Sequence, residues 1–112
     1  MAILQNKTCE FGLTATYWSA DVVNIYWDAG TNCTAHIELH GYRSENAKKN
    51  DLERSLVSYA YDFNQSDWIF TKGGNNEHEF YEWLLAKAQE EVAEGETKEE
   101  KYSLFETADS DV

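Results

Sequence analysis

From Cys33 to Tyr42 the chain alternates without a break, with Cys33, Ala35, Ile37 and Leu39 on one side and Thr34, His36, Glu38 and His40 on the other. Successive side chains of an extended strand point to opposite faces, so this run demands a strand with one dry face and one wet face. Such a strand needs neighbours to complete its hydrogen bonds, and the flanking sequence supplies them. Leu13 to Trp18 alternates, with Leu13, Ala15 and Tyr17 set against Thr14, Thr16 and Trp18. Val22 to Trp27 does so again, with Val23, Ile25 and Trp27 set against Val22, Asn24 and Tyr26. In Arg54 to Phe63, Val57, Tyr59, Tyr61 and Phe63 share a face. Proline is absent, so reversals fall to Gly, Asn and Asp, and Asp28-Ala29-Gly30-Thr31-Asn32 reads as a hairpin turn. The polar run Ser44 to Asp51 reads as a loop with room for a helical turn.

An antiparallel meander of about four strands leaves one apolar face to cover. After the flexible stop Lys72-Gly73-Gly74-Asn75-Asn76, helical spacing joins Phe80, Trp83, Leu84, Lys87 and Ala88, with Leu85 and Val92 beside them. Glu77, Glu79 and Glu82 fall in the first turns, where the helix dipole favours negative charge. Gly95 is the expected stop. Thr97-Lys98-Glu99-Glu100 has the form of a capping box and predicts a second short helix carrying Tyr102, Leu104 and Phe105. The fold class is therefore α+β. A β-meander plus helix domain spans residues 1–93, and an acidic arm, helical or mobile, spans residues 94–112.

At 112 residues the chain suits one domain, and an apolar share of 42% is ample for a packed core. Nine Lys and Arg stand against 21 Asp and Glu, a formal charge of −12. Residues 87–112 hold nine acids and three bases, so this short segment carries −6, as much as the rest of the chain. That balance repels phosphate backbones and disfavours direct nucleic-acid binding, and a basic protein surface is the more natural electrostatic partner. No stretch approaches the ~20 apolar residues of a membrane helix, and Met1 to Phe11 lacks the apolar core of a signal peptide, so a soluble, unsecreted chain with no membrane partner is expected. On that basis Cys9 and Cys33 are expected as reduced thiols, Cys33 as a small apolar residue of its strand. The Asn-x-Ser/Thr triplets at Asn6, Asn32 and Asn64 are then without consequence.

Two constellations invite a chemical reading. His36, Glu38 and His40 project from one strand face, but the two imidazoles lie ~13 Å apart at the rise of a strand, too far to share an ion without a bend. His78 and Glu82, four apart on a helix, read as a surface pair. The chain carries no phosphate loop, nucleophile elbow or zinc-knuckle spacing. A non-enzyme without cofactor, metal or catalytic residues is expected.

Tyr17, Trp18, Tyr26, Trp27, Tyr42, Tyr59, Tyr61, Phe63 and Trp68 exceed what one face of a small sheet hides. Trp18, Tyr26 and Tyr42 are the candidates for an exposed docking patch. Tyr102, Leu104 and Phe105, with Asp109 and Asp111, are the candidates for an arm that orders on a partner.

The order Phe11-Gly12-Leu13, Ala15-Thr16-Tyr17-Trp18, Val23-Asn24-Ile25, then Ala35 to Tyr42, Tyr59 to Phe63 and a closing Phe105-x-x-Ala108-Asp109-x-Asp111-Val112 resembles small tail-associated structural proteins of tailed bacteriophages. The likeness runs from about Met1 to Asp62 and resumes over the last eight residues; Glu90 to Lys101 departs from it. It implies a virion component of the tail or attachment region, made in the host cytoplasm, oligomeric in its assembly and bound to other virion proteins or to copies of itself, with no catalytic residues to carry over. The alternative reading is an acidic inhibitor that imitates DNA, an anti-CRISPR or anti-restriction protein seated in a basic nuclease channel. A third is a carbohydrate-binding module using exposed Trp and Tyr.

Overall fold

The computed structural model describes residues 2–9, 12–27, 32–49, 55–90, 92 and 95–111. Strands β1 (Ala2–Thr8), β2 (Thr14–Tyr26), β3 (Thr34–Tyr42) and β4 (Val57–Phe63) form an antiparallel meander, and β5 (Asp109–Asp111) joins its β1 side. The sheet order is β4-β3-β2-β1-β5. A short helix α1 (Glu45–Lys49) fills the polar connection before β4; helix α2 (Asn76–Gln89) supplies the cover, and α3 (Glu100–Ser103) follows it. The fold is α+β, a small meander packed by a helix, as the alternation and the helical spacing predict.

The two runs expected as separate strands, at Leu13–Trp18 and Val22–Trp27, are one strand. β2 pairs continuously with β3 except for a register shift between Ala20 and Val22, where Asp21 is the extra residue of a β-bulge. A bulge changes the phase of a period-two pattern. Before it, Trp18 and Ala20 lie opposite Gly41 and Leu39; after it, Val23 and Ile25 lie opposite Ile37 and Ala35. One apolar face is thereby kept along the whole strand, although in the sequence it looks like two strands out of step.

The core is aromatic. Trp18, Tyr61, Phe80, Tyr81, Phe105, Ile37, Leu39 and Leu84 are fully buried. Trp18 lies over Gly41, where a Cβ would fall 2.7 Å from the indole. It stacks on Tyr59 and meets the edge of Phe105 at 5.3 Å between ring centroids. Its Nε1–H donates to the carbonyl of Gln5 at 2.8 Å, beside a second register shift, between Leu4 and Lys7 in β1.

Helix α2 starts at an Asn75 cap, whose side chain accepts from the His78 amide at 3.1 Å. Its buried residues are Phe80, Tyr81, Leu84 and Ala88, while Trp83 packs partly buried against Phe63, Tyr61 and Tyr102. The helix ends at Gln89 rather than near Gly95. Glu90 is already extended, and the ammonium of Lys98 donates to the carbonyl of Ala88 at 2.5 Å, satisfying one of the acceptors that a helix end leaves open. The expected Thr97 capping box is not the start of α3. Its N-cap is Glu99, without a side-chain cap, and Glu100 pairs instead with Lys7.

The acidic arm is tied down along its described length. Tyr61 donates its hydroxyl to the carbonyl of Lys101 at 2.6 Å, Phe105 enters the core, and Ala2, Ile3 and Leu4 pair with Asp111, Ser110 and Asp109.

Candidate docking surface

The sequence candidates scatter in space. Trp18 and Phe105 are withdrawn as surface anchors, because both are fully buried against each other. A large ring placed opposite Gly41 finds its hydrophobic contact inside the protein, which the alternating pattern alone does not reveal. Tyr42, half-buried, gives its hydroxyl to Asp21. Tyr102 and Leu104 are half-buried and pack on the core rather than projecting from an arm. Asp109 is exposed on β5; Asp111 pairs by its backbone, and its side chain lies outside the described residues. Of the eight, Tyr26 is the large apolar side chain left in water, with 69% of its surface exposed.

Tyr26 does not stand alone. Trp27 follows it, 37% exposed, and meets Trp68 edge-to-face at 5.3 Å; Trp68 in turn meets Phe70 at 5.3 Å. The exposed end of the sheet is thus the outer end of an aromatic chain rooted in the core, since Phe70 is buried against Phe63. Rings held in this way present large apolar area with little rotamer freedom to lose on binding. The sequence reading included Trp27 and Trp68 in the aromatic surplus but not among the docking residues; their adjacency across the sheet end was the missing signal.

The same end carries an open edge. β1 pairs with β2 over Thr14 to Trp18, and Ala20 donates its amide to the Tyr81 hydroxyl at 2.7 Å. Beyond that point, Val22 to Tyr26 has β3 on one side and no strand on the other among the described residues. Alternate N–H and C=O groups of such a strand point outward. Natural edges are commonly guarded by Lys, Pro or inward charge, and Val22-Val23-Asn24-Ile25-Tyr26 contains none of these.

Across the outer face of the sheet runs a ladder of imidazoles and carboxylates. His36 Nδ1 lies 2.7 Å from Asp62 and its Nε2 lies 3.2 Å from Glu38; Glu38 reaches His40 Nε2 at 3.4 Å, and His40 Nδ1 lies 3.2 Å from Asp21. Asp21 also accepts from Ser19 at 2.5 Å and sits 3.5 Å from the Lys48 ammonium. Hydrogen bonds to Asp62 and then Glu38 raise His36 above its ordinary value, and the same imidazoles hold Glu38 below its own. Burial works to raise Asp21, but hydrogen bonds from Ser19 and Tyr42, with the charges of Lys48 and His40, outweigh it and leave its carboxyl lowered. The ring nitrogens are directed at carboxylates rather than at a common point. Among the described residues, no group of three His, Cys, Asp or Glu is arranged to hold a metal ion.

Cys9 and Cys33 are both free thiols, Cys33 buried. No described helix is long and apolar enough to cross a membrane. No family model, curated protein or solved structure matches this chain.

Proposed function

We propose that this chain is a non-enzymatic docking component of a bacteriophage virion, in the tail or attachment region, which binds neighbouring subunits and is oligomeric in the assembly. The observation that carries the docking role is the exposed aromatic end, with Tyr26 in water beside Trp27 braced on Trp68. Braced aromatics next to an uncharged strand edge are what an interface uses for its central anchors. The virion assignment rests on the sequence likeness described above. It implies a host-cytoplasmic stage before incorporation.

The charge of −12 favours the other reading, a DNA mimic. A mimic needs carboxylates free to replace phosphates, whereas many of the described ones are engaged inside the chain. Glu77 accepts from Tyr81, Glu79 from Thr71 and Asn76, and Glu82 meets His78; Glu38 lies between two imidazoles. Docking through apolar contacts therefore takes precedence.

Mass spectrometry of purified particles should detect the parent chain in fixed ratio to the other virion proteins. A double variant, Tyr26→Ser with Trp27→Ser, should be depleted by at least ~30-fold, the loss of about 2 kcal/mol expected for a central anchor. A parent chain absent from particles and held instead by a nuclease, in a complex that loosens steeply with salt, overturns the reading in favour of mimicry.

A further inference from the structure

We infer that the open edge of β2 is a two-fold interface, at which two copies of this chain join antiparallel into one continuous sheet. The argument is the self-complementarity of the segment. With the two-fold axis at Asn24, Asn24 faces Asn24 of the partner subunit, Val23 faces Ile25 of the partner subunit, and Val22 faces Tyr26 of the partner subunit. These are β-branched with β-branched, aromatic with β-branched, and amide with amide, the cross-strand pairs that stabilise antiparallel strands. Asp21, the charged residue next to this segment, faces Trp27 of the partner subunit rather than another acid. No like charges oppose one another from Asp21 to Trp27.

The three-dimensional setting supports the pairing. Val23, Asn24 and Tyr26 are exposed, so most of the segment's side chains are free for a partner, while half-buried Ile25 also packs on the core. The bulge at Asp21 and the Tyr81 bond to Ala20 close the edge at one end, which limits sliding of the register. An isologous contact uses the same patch on both copies and closes at two, so it consumes the edge rather than propagating it.

The inference rests on the docking reading in one respect, that Tyr26 and Trp27 lie at an interface, and it names that partner as a second copy. Two bodies each carrying −12 repel over distances that salt screens, so pairing through an uncharged edge tightens as salt rises. A basic extended peptide on the same edge would behave oppositely.

Sedimentation equilibrium of the full chain, from low salt to about 0.5 M NaCl, reads this sign directly. The expected result is twice the chain mass, with the dimer fraction growing as salt is added. Val23→Lys and Asn24→Lys should each return the mass to one chain while the circular dichroism spectrum stays as in the parent and unfolding stays cooperative, with a melting temperature that no longer depends on protein concentration. Each adds a positive charge, which by net charge alone would favour association, so the loss reports the edge. In the parent, exchange of alternate amides from Val22 to Tyr26 should slow as concentration rises, a reading independent of how the variants fold. A single-chain mass at every salt with concentration-independent exchange overturns the inference, as do folded lysine variants that pair like the parent. A chain that stays single in solution yet is found in particles sinks the pairing alone; one that pairs yet is missing from particles sinks the virion role alone.

Discussion

Among the described glycines, Gly41 is the one most closely approached, by the indole of Trp18. The indole occupies the place of a Cβ, so Gly41→Ala drives a methyl into a fully buried ring that is also held by Gln5, Tyr59 and Phe105. Overpacking of this kind costs about 1–3 kcal/mol, and urea unfolding should show a lower midpoint with an unchanged slope. On the opposite face the sensitive group is His36. Its folded value lies above the ordinary 6.5, so its stabilisation is fully present below that pH and is lost as pH rises through the folded value. Glu38, Glu79 and Glu100 are lowered and act on the other limb, contributing above 4.5 and failing as acid protonates them. Melting temperature followed against pH should therefore fall at both ends. His36→Gln should flatten the alkaline side near neutrality. Because the His36 hydrogen bond is the first cause of the lowering of Glu38, it should weaken the acid side only by that share, leaving the part due to Glu79 and Glu100. An unchanged alkaline side would show that the imidazole contributes nothing there.

The elements differ in how openly the sequence announces them. β3 is legible because its alternation is unbroken, and α2 because Phe80, Leu84 and Ala88 recur at helical spacing above an Asn75 cap. β2 was half legible, since the bulge at Asp21 shifts the phase and disguises one strand as two. β1 escaped notice because Ile3 and Leu4 are adjacent apolar residues and the register shift after Leu4 erases the period. Nothing in Asp109-Ser110-Asp111 favours a strand; the backbone of β1 supplies the reason, and it lies at the other end of the sequence. The exposed aromatic end was hidden for the same cause, as the Trp27–Trp68 contact joins segments whose side chains meet only after folding. The bulge gives a sharp element-scale test. Deleting Asp21 forces one side of β2 to exchange faces, placing either Trp18 and Ala20 or Val23 and Ile25 outward, because a one-residue slip inverts a strand. Cooperative thermal unfolding should be lost, whereas Asp21→Asn, which keeps the length, should retain it.

At the scale of the whole molecule, the acidic segment is less a free arm than a strap. Lys7 holds Glu100, Lys98 holds both the end of α2 and Glu106, and Phe105 anchors the strap in the core. Much of the charge density predicted for a mobile tail is thereby attached to the body. The strap extends the sheet at its β1 side by pairing Ala2 with Asp111, residues 109 positions apart. Contacts so distant in sequence carry a large loop-closure entropy and slow folding. During synthesis, β1 to β4 leave the ribosome long before their fifth partner exists. The nascent sheet therefore waits with β1 uncovered on the flank opposite β4, so newly made chains crowded on one messenger RNA have an extra place to join wrongly until residues 109–111 arrive.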